Sequence, residues 1–318
     1  MHIVGNFLNP IMRPIFNVPG TGAFALAMGI TSGYPVGAKV ASDLYQDKLC
    51  TKEEAERLVA FTNSSGPLFI IGAIGIGMFN DEKIGLLLFL THFLASLTVG
   101  ILFRFYKKNS TKSIITQVSI NSNSIKLSNI GSAMGEAIEK SISTLLLIGG
   151  YIVFFAVLSE ILSITILKNL QNPLLMSIIS GILEITNGIK KMAALGGMEL
   201  LDLLPLVAFI LGFGGFSVHM QVASILSETK LSMRPYLIGK FLQGIFASIY
   251  TTIFTRYIPF FNFEIISTFN YTRGKIPIIE ETFNLLKCIV TISIVGIIVI
   301  LIYKLFKIRK NSTLKRQL

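Results

Sequence analysis

Residues Thr31-Ser32-Gly33-Tyr34-Pro35-Val36-Gly37 interrupt an apolar stretch that opens at 24–30 and resumes, with mixed character, through 38–44. The opening run is too short to cross a bilayer, which takes about 20 residues of helix. A turn of glycine and proline at that depth leaves backbone groups unpaired. Lipid tolerates such backbone only where protein buries it or a watery cavity bathes it. A chain that enters, turns near Gly33 and returns has the pattern of a re-entrant hairpin. The pattern recurs at 200–226, with an apolar descent, Gly212-Phe213-Gly214-Gly215 at the tip, then Val222-Ala223-Ser224. Sliding the chain by 182 positions lays 33–49 over 215–231 with eight identities in 17 positions, Val40-Ala41-Ser42 among them. The sequence thus predicts an internal duplication holding paired broken helices, a recurrent architecture of secondary transporters with the substrate between the repeats.

Composition places the whole chain in a membrane. Of 318 residues, 52% are apolar and 14% charged, where a soluble domain carries about 25% charge; the mean hydropathy is +0.69. Charges fall between the apolar runs, whereas a soluble core helix keeps a polar stripe along its length. The net charge of +11 does not point to nucleic acid, because the basic residues flank apolar runs. One group is Arg104, Lys107, Lys108, Lys112 and Lys126; the other is the tail from Lys304 to Arg316. Such residues report a cytoplasmic side and attraction to anionic lipid. Cys50 and Cys288 lack CxxC spacing, and His2, His92 and His219 lack a metalloprotease pattern, so neither a disulfide framework nor a metal site is expected. Residues 1–14 show no continuous apolar core with a cleavage site, so no signal peptide is expected.

About eight apolar segments are visible. Those at 84–105, 142–167, 236–258 and 282–305 read as ordinary spans. A Ser/Asn/Lys-rich stretch after Tyr106, with an amphipathic end at 130–140, reads as a cytoplasmic linker between two halves. With a further span at 174–195, the basic loop and tail share one side. That count also puts both hairpins on one side, while an inverted repeat needs them on opposite sides. Either the repeat is parallel or one broken segment is misread, with 174–195 the suspect.

Two polar constellations could carry function. Thr51-Lys52-Glu53-Glu54 fits a capping box and starts a helix that runs into Thr62-Asn63-Ser64-Ser65-Gly66-Pro67. Pro67 cannot donate to the Asn63 carbonyl, so the helix is expected to open there. The half-helix 68–79 would then turn its amides and positive end toward a carboxylate or phosphate. The bland alternative is a proline kink whose Ser and Thr re-satisfy backbone; four polar side chains in a row exceed what a kink needs. The second constellation is Glu184, Thr186 and Asn187, with Glu184 and Asn187 at i, i+3 on one helix face. An ionisable group inside a membrane segment is a functional candidate by default; the alternative is a structural pair with Lys190 or Lys191. Ser32, Gly33, Gly214 and Gly215 line the hairpin tips, with Lys39 and Gln221 just past them. Lys39 would attract an anion or simply snorkel. His219 reads as a hydrogen-bonding residue, and Arg57 and Arg234 as marking cytoplasmic helix ends.

The runs Gly33-Tyr34-Pro35-Val36-Gly37-Ala38-Lys39, Thr51–Leu58, Phe61–Phe69 and Leu183-Glu184-Ile185-Thr186-Asn187-Gly188 resemble the YlbJ-type sporulation integral membrane proteins. The similarity runs from about Asn6 to the last apolar segment. It implies a Gate, or nucleoside-recognition, domain and a fold like that of the concentrative nucleoside transporters. It also implies a role in moving dipicolinate across the outer forespore membrane. Family members carry further apolar segments ahead of the position of Asn6, so a short form or a late start codon is expected here.

Taken together, the sequence predicts an all-α polytopic membrane protein with two re-entrant hairpins and broken helices in an internal repeat. Its expected parts are a first half (1–106), a linker (107–139) and a second half with the basic tail (140–318). Thr62, Asn63, Ser64 and Ser65 would face Glu184, Thr186 and Asn187 around a midplane site for dipicolinate or a nucleoside-like solute. Partners are the lipid bilayer, with a coupling ion and a homo-oligomer left open; no nucleic acid, cofactor, metal or catalytic group is expected. A non-transporting scaffold for spore assembly is the alternative from another class, and a membrane-embedded enzyme lacks a nucleophile–base pair.

Overall fold

The computed structural model describes residues 2–107, 128–165, 172–195 and 198–261. Contacts divide the chain at Thr252. The first unit, Met1–Thr252, holds nearly all described elements. Of the second, Ile253–Leu318, the described part is the end of the last helix and a 3-10 turn at Pro259–Phe261. The apolar segment at 282–305, the basic tail, Cys288, Lys108, Lys112 and Lys126 lie outside the described residues.

Among the described residues every regular element is helical. In order they are α1 (His2–Phe16), α2 (Gly22–Ser32), α3 (Val36–Gln46), α4 (Lys52–Thr62), the π-helix π1 (Leu68–Met78), α5 (Glu82–Phe103), α6 (Ser128–Ile164), α7 (Pro173–Leu183), α8 (Ile185–Ala193), α9 (Leu200–Phe213), α10 (Gly215–Ser227) and α11 (Met233–Tyr257). Among the described residues, four apolar stretches are long enough to cross a membrane: Glu82–Phe103, Met134–Ile164, Leu200–Ser227 and Met233–Tyr257. A 22-residue helix rises about 33 Å, matching the hydrocarbon core. Along α6, Leu145, Leu146, Val153 and Phe154 are all more than 60% exposed, the dress of a lipid-facing helix. This is an all-α polytopic membrane protein.

Local chemistry sets the boundaries. Thr51 accepts from the Glu54 amide at 3.3 Å while Glu54 accepts from the Thr51 amide at 2.8 Å, completing the expected capping box of α4. Asp81 caps α5 through the Lys83 amide (2.7 Å), and Asn172 caps α7 through Leu175 (3.1 Å) with Pro173 just inside. At the first hairpin, Gly33 takes φ +81°, a conformation side chains resist, and the chain turns from α2 into α3.

The second half departs from expectation. The turn-back lies at Glu184, not at the glycines of 200–226. A single extended residue (φ −144°, ψ 120°) joins α7 to α8, and the helices fold together so closely that a methyl on Gly188 would lie 2.1 Å from the Gly181 Cα. Segment 174–195 is therefore a helical hairpin rather than a span. Gly214 (φ +95°) and Gly215 (φ +67°) break a helix that runs on as one 28-residue apolar stretch, instead of reversing it. The 182-residue alignment had laid the return arm of one hairpin over the second piece of a broken helix. A step of 151 residues instead separates Gly22 from Pro173, Asn63 from Gly214 and Glu82 from Met233, so hairpin, break and long helix recur in order.

Each break rests on its own hairpin. A methyl on Gly29 would sit 1.8 Å from the Thr62 carbonyl oxygen, and one on Gly37 2.2 Å from it, so the first hairpin straddles the end of α4. Gly215 likewise meets the Gly181 carbonyl oxygen (3.1 Å from a built methyl). Around this frame the core gathers Phe16, Leu58, Val59, Phe61, Leu44 and Tyr236, with Phe16 and Phe61 stacked at 4.9 Å.

Candidate functional site

Where α4 stops, its last carbonyls need partners. Phe61 O accepts from Ser96 Oγ at 2.6 Å, and Asn63 O accepts from Lys240 Nζ at 3.1 Å. The Thr62 carbonyl faces Gly29 and Gly37. Lys240, on α11, is the organising group: it is 0% exposed, and it also donates to Gln243 Oε1 (2.8 Å) and to Tyr34 Oη (3.2 Å) while lying 4.9 Å from the centre of the Tyr34 ring. Tyr34, at the tip of the first hairpin, donates in turn to the Leu211 carbonyl at the end of α9 (2.9 Å). The first hairpin and both breaks thus meet at one ammonium, where a methyl on Gly214 would lie 3.3 Å from Lys240 Cε.

Beside it lies a set of polar groups without partners. The Ser65 amide donates to His92 Nε2 (3.1 Å), so that nitrogen carries no proton; the proton of the neutral ring sits on Nδ1, which has no partner. Gln243 Nε2 reaches Ser64 Oγ (3.4 Å) and the His92 Nε2 (3.3 Å). Asn63 is fully buried, and neither its Oδ1 nor its Nδ2 makes a well-formed hydrogen bond, nor does Ser65 Oγ; the hydroxyls nearby are those of Tyr236 for Asn63 and Tyr34 for Ser65. Buried polar atoms are satisfied in the large majority of cases, so four buried atoms without a hydrogen bond around one break set this place apart as the candidate site. All three hydrogen bonds of Lys240 go to neutral acceptors, and among the described residues no carboxylate forms an ion pair with it.

The other expected residues are placed differently. Glu184 stands outside α8 as its N-cap, accepting from the Thr186 amide (3.0 Å) and the Asn187 amide (2.8 Å). It therefore does not share a helix face with Asn187, nor does it pair with Lys190 or Lys191; Lys191 instead meets Glu160 at 3.5 Å and Ser180 Oγ at 3.2 Å. Thr186 and Asn187 are half-buried, and no hydrogen bond among the described residues joins them to 62–65. Thr62 Oγ1 back-bonds to the Leu58 carbonyl (2.9 Å). Lys39 is paired with Asp43 on its own helix (3.2 Å), and Ser32 is exposed. Gly33 and Gly66 face each other where the first hairpin meets the break. Gln221 is buried with Oε1 unpartnered, and His219 Nδ1 lies 3.1 Å from Tyr236 Oη. The half-helix after Pro67 is a π-helix rather than an α-helix.

Lys240 and Gln243 were missed because 236–258 reads as an ordinary span. The signal was present: an ammonium two turns into an apolar helix falls under the same rule that singled out Glu184. Arg57 is no helix end either. It lies inside α4, 0% exposed, with its guanidinium on the carbonyls of Asn17 (2.7 Å), Tyr106 (2.8 Å) and Lys107 (3.1 Å). Its neighbours Glu54, bonded to Arg13, and Glu56, bonded to Tyr106 Oη (3.0 Å), Lys107 Nζ (3.0 Å) and the Ser232 amide (3.1 Å), join it in tying that end of the bundle together. Hydrogen bonds to Tyr106 and to Glu56 raise the Lys107 ammonium above its ordinary value.

Two substitutions test these structural roles. Glu184→Ala removes both cap bonds and is expected to cost about 1–2 kcal/mol, read as a lower melting temperature of the purified protein in detergent. Tyr34→Phe strands the Leu211 carbonyl and should cost about 1–2 kcal/mol in the same melt. An unchanged melt for either variant would contradict the bond assigned to it.

The chain is 38% identical to the "Sporulation integral membrane protein YlbJ" of Bacillus subtilis (strain 168), over 80% of this chain and 68% of that protein. No family model matches the chain. No solved structure matches it either.

Proposed function

The chain belongs to the family of the sporulation integral membrane protein YlbJ, and from that membership we propose that it is a solute transporter of sporulation. Its cargo is a small organic dianion of the dipicolinate kind, moved across the outer forespore membrane. One observation supports this reading above the rest: the Lys240 ammonium is fully buried without an acid, next to the unpartnered Asn63, Ser65 and His92. Capping the end of α4 accounts for the bond from Lys240 to the Asn63 carbonyl, since cations suit helix C-termini. It does not account for the orphaned side chains. A buried cation gains most from an anion that reaches it out of water, and a carboxylate set against Lys240 would also take hydrogen bonds from Asn63 Nδ2 and Ser65 Oγ.

The alternative cargo, a nucleoside, needed a carboxylate or amide pair for its ribose hydroxyls, and Glu184 was the expected carboxylate. Its oxygens accept from two backbone amides, which weakens that reading. Movement would be alternating access, with the Tyr34–Leu211 contact opening and re-forming between the first hairpin and α9.

Equilibrium binding tests the proposal. Titration of dipicolinate into detergent-purified protein should give saturable heat that uridine does not reproduce and that Asn63→Ala weakens about 10-fold, the worth of a hydrogen bond to a charged group. Binding of uridine with no binding of dipicolinate would transfer the site to nucleosides. If neither solute binds to folded protein, the non-transporting scaffold reading takes its place.

A further inference from the structure

The ion network at the end of the bundle stands next to a second feature that the transport reading does not use. A groove of about 640 Å³ opens between the end of α5 and the start of α11, with Leu102, Lys107, Ser232, Arg234, Ile238 and Leu242 in its lining. Its two ends differ in chemistry. One end carries the Lys107 ammonium and the Arg234 guanidinium. The other is apolar and outward-facing, with Leu102 44% and Ile238 56% exposed, and it continues into exposed Leu237 and Phe241 along α11.

We propose that this groove binds one anionic phospholipid, its phosphate at Lys107 and Arg234 and an acyl chain over Leu102, Ile238 and Leu242. Three observations carry it. First, the cationic end is held in place: Glu56, its side chain fully buried, bonds both Lys107 Nζ and the Ser232 amide, and so joins the two walls of the groove. Lys107 remains 44% exposed and has donors to turn outward. Second, no acidic residue lines the groove, and Glu56 behind Lys107 balances only one of its two basic side chains; Arg234 is exposed with no ion pair among the described residues, so a positive charge remains to favour an anion. Third, an anion from water would use only the basic end, whereas the apolar wall lies on two helices long enough to cross the bilayer, α5 and α11. Only a molecule with both a negative head and a hydrocarbon tail matches the whole surface. Basic residues at a membrane boundary attract anionic lipid with a worth of about fivefold in affinity per side chain.

Native mass spectrometry of the full chain, titrated with phosphatidylglycerol or phosphatidylcholine, tests this. One phosphatidylglycerol should stay bound at lipid levels where phosphatidylcholine does not. Arg234→Gln should lower its retention about fivefold, and Ile238→Asn should lower it by shortening the apolar wall. Both positions are exposed, so both variants should melt as the parent does. The melt also separates sources: phosphatidylglycerol should raise it, and inorganic phosphate should not. Equal retention of the two lipids, full retention by Arg234→Gln, or equal protection by inorganic phosphate would each overturn the proposal.

Discussion

Replacing Lys240 with methionine is expected to lower affinity for a dipicolinate-like dianion about 100-fold, while the protein still folds. Removing one member of a buried, hydrogen-bonded charge pair costs about 2–5 kcal/mol of binding, and 100-fold is near 3 kcal/mol. Stability should move far less. The methionine leaves Asn63 O and Gln243 Oε1 without their donor, a cost of about 1–3 kcal/mol each. Against that, the protein no longer has to take an ammonium out of water with no acid beside it, a term of several kcal/mol. The two effects oppose each other. Titration against a melting curve of the same sample separates site from scaffold: lost binding with a retained melt supports Lys240 as the anion's partner, and retained binding would remove it.

The second large effect is structural. Gly29→Ala places a methyl 1.8 Å from the Thr62 carbonyl oxygen and 2.9 Å from its carbon. Both are backbone atoms, at the point where α4 ends, so neither can turn aside as a side chain would. The hairpin must lift off the break. Overpacking costs about 1–3 kcal/mol, and Gly29→Ala should lie at the top of that range or beyond it, with loss of monodisperse protein after extraction. Gly149→Ala is the matched comparison. Nothing lies within 4 Å of a methyl there, and alanine in a helix is favoured over glycine by about 1 kcal/mol, so its melt should stay level or rise. A normal melt for Gly29→Ala would mean that the first hairpin does not seat on Thr62.

What could be read from the sequence follows from how local each signal is. The turn at Gly33, the capping box at Thr51 and the break before Pro67 each depend on residues within one helical turn, and each lies where the residue types put it. The second half hides its hairpin because the turn at Glu184 contains neither glycine nor proline. One extended residue makes the reversal, and its own carboxylate caps the helix that follows. Conversely, Gly214 and Gly215 look like a turn from their type alone, yet they only bend a long apolar helix; the direction the chain takes afterwards depends on Gly181 and Ile185, about thirty residues away. The site shows the same division. Asn63, Ser64 and Ser65 could be named from their run. His92, Lys240 and Gln243 come from two other helices, and only the tertiary packing of α5 and α11 against the break brings them to it. An eye on average hydropathy passed over the one charge that mattered in 236–258.

Carriage of an organic dianion through the membrane by the polar centre around Lys240 is read in the uptake of labelled dipicolinate into proteoliposomes holding the purified protein. Uridine in excess serves as competitor, and Asn63→Ala and Lys240→Met are run alongside. Saturable uptake that uridine leaves untouched, that Asn63→Ala reduces and that Lys240→Met reduces further is the predicted result. Uptake that persists undiminished in both variants, or an absence of uptake by folded and inserted protein, would contradict it.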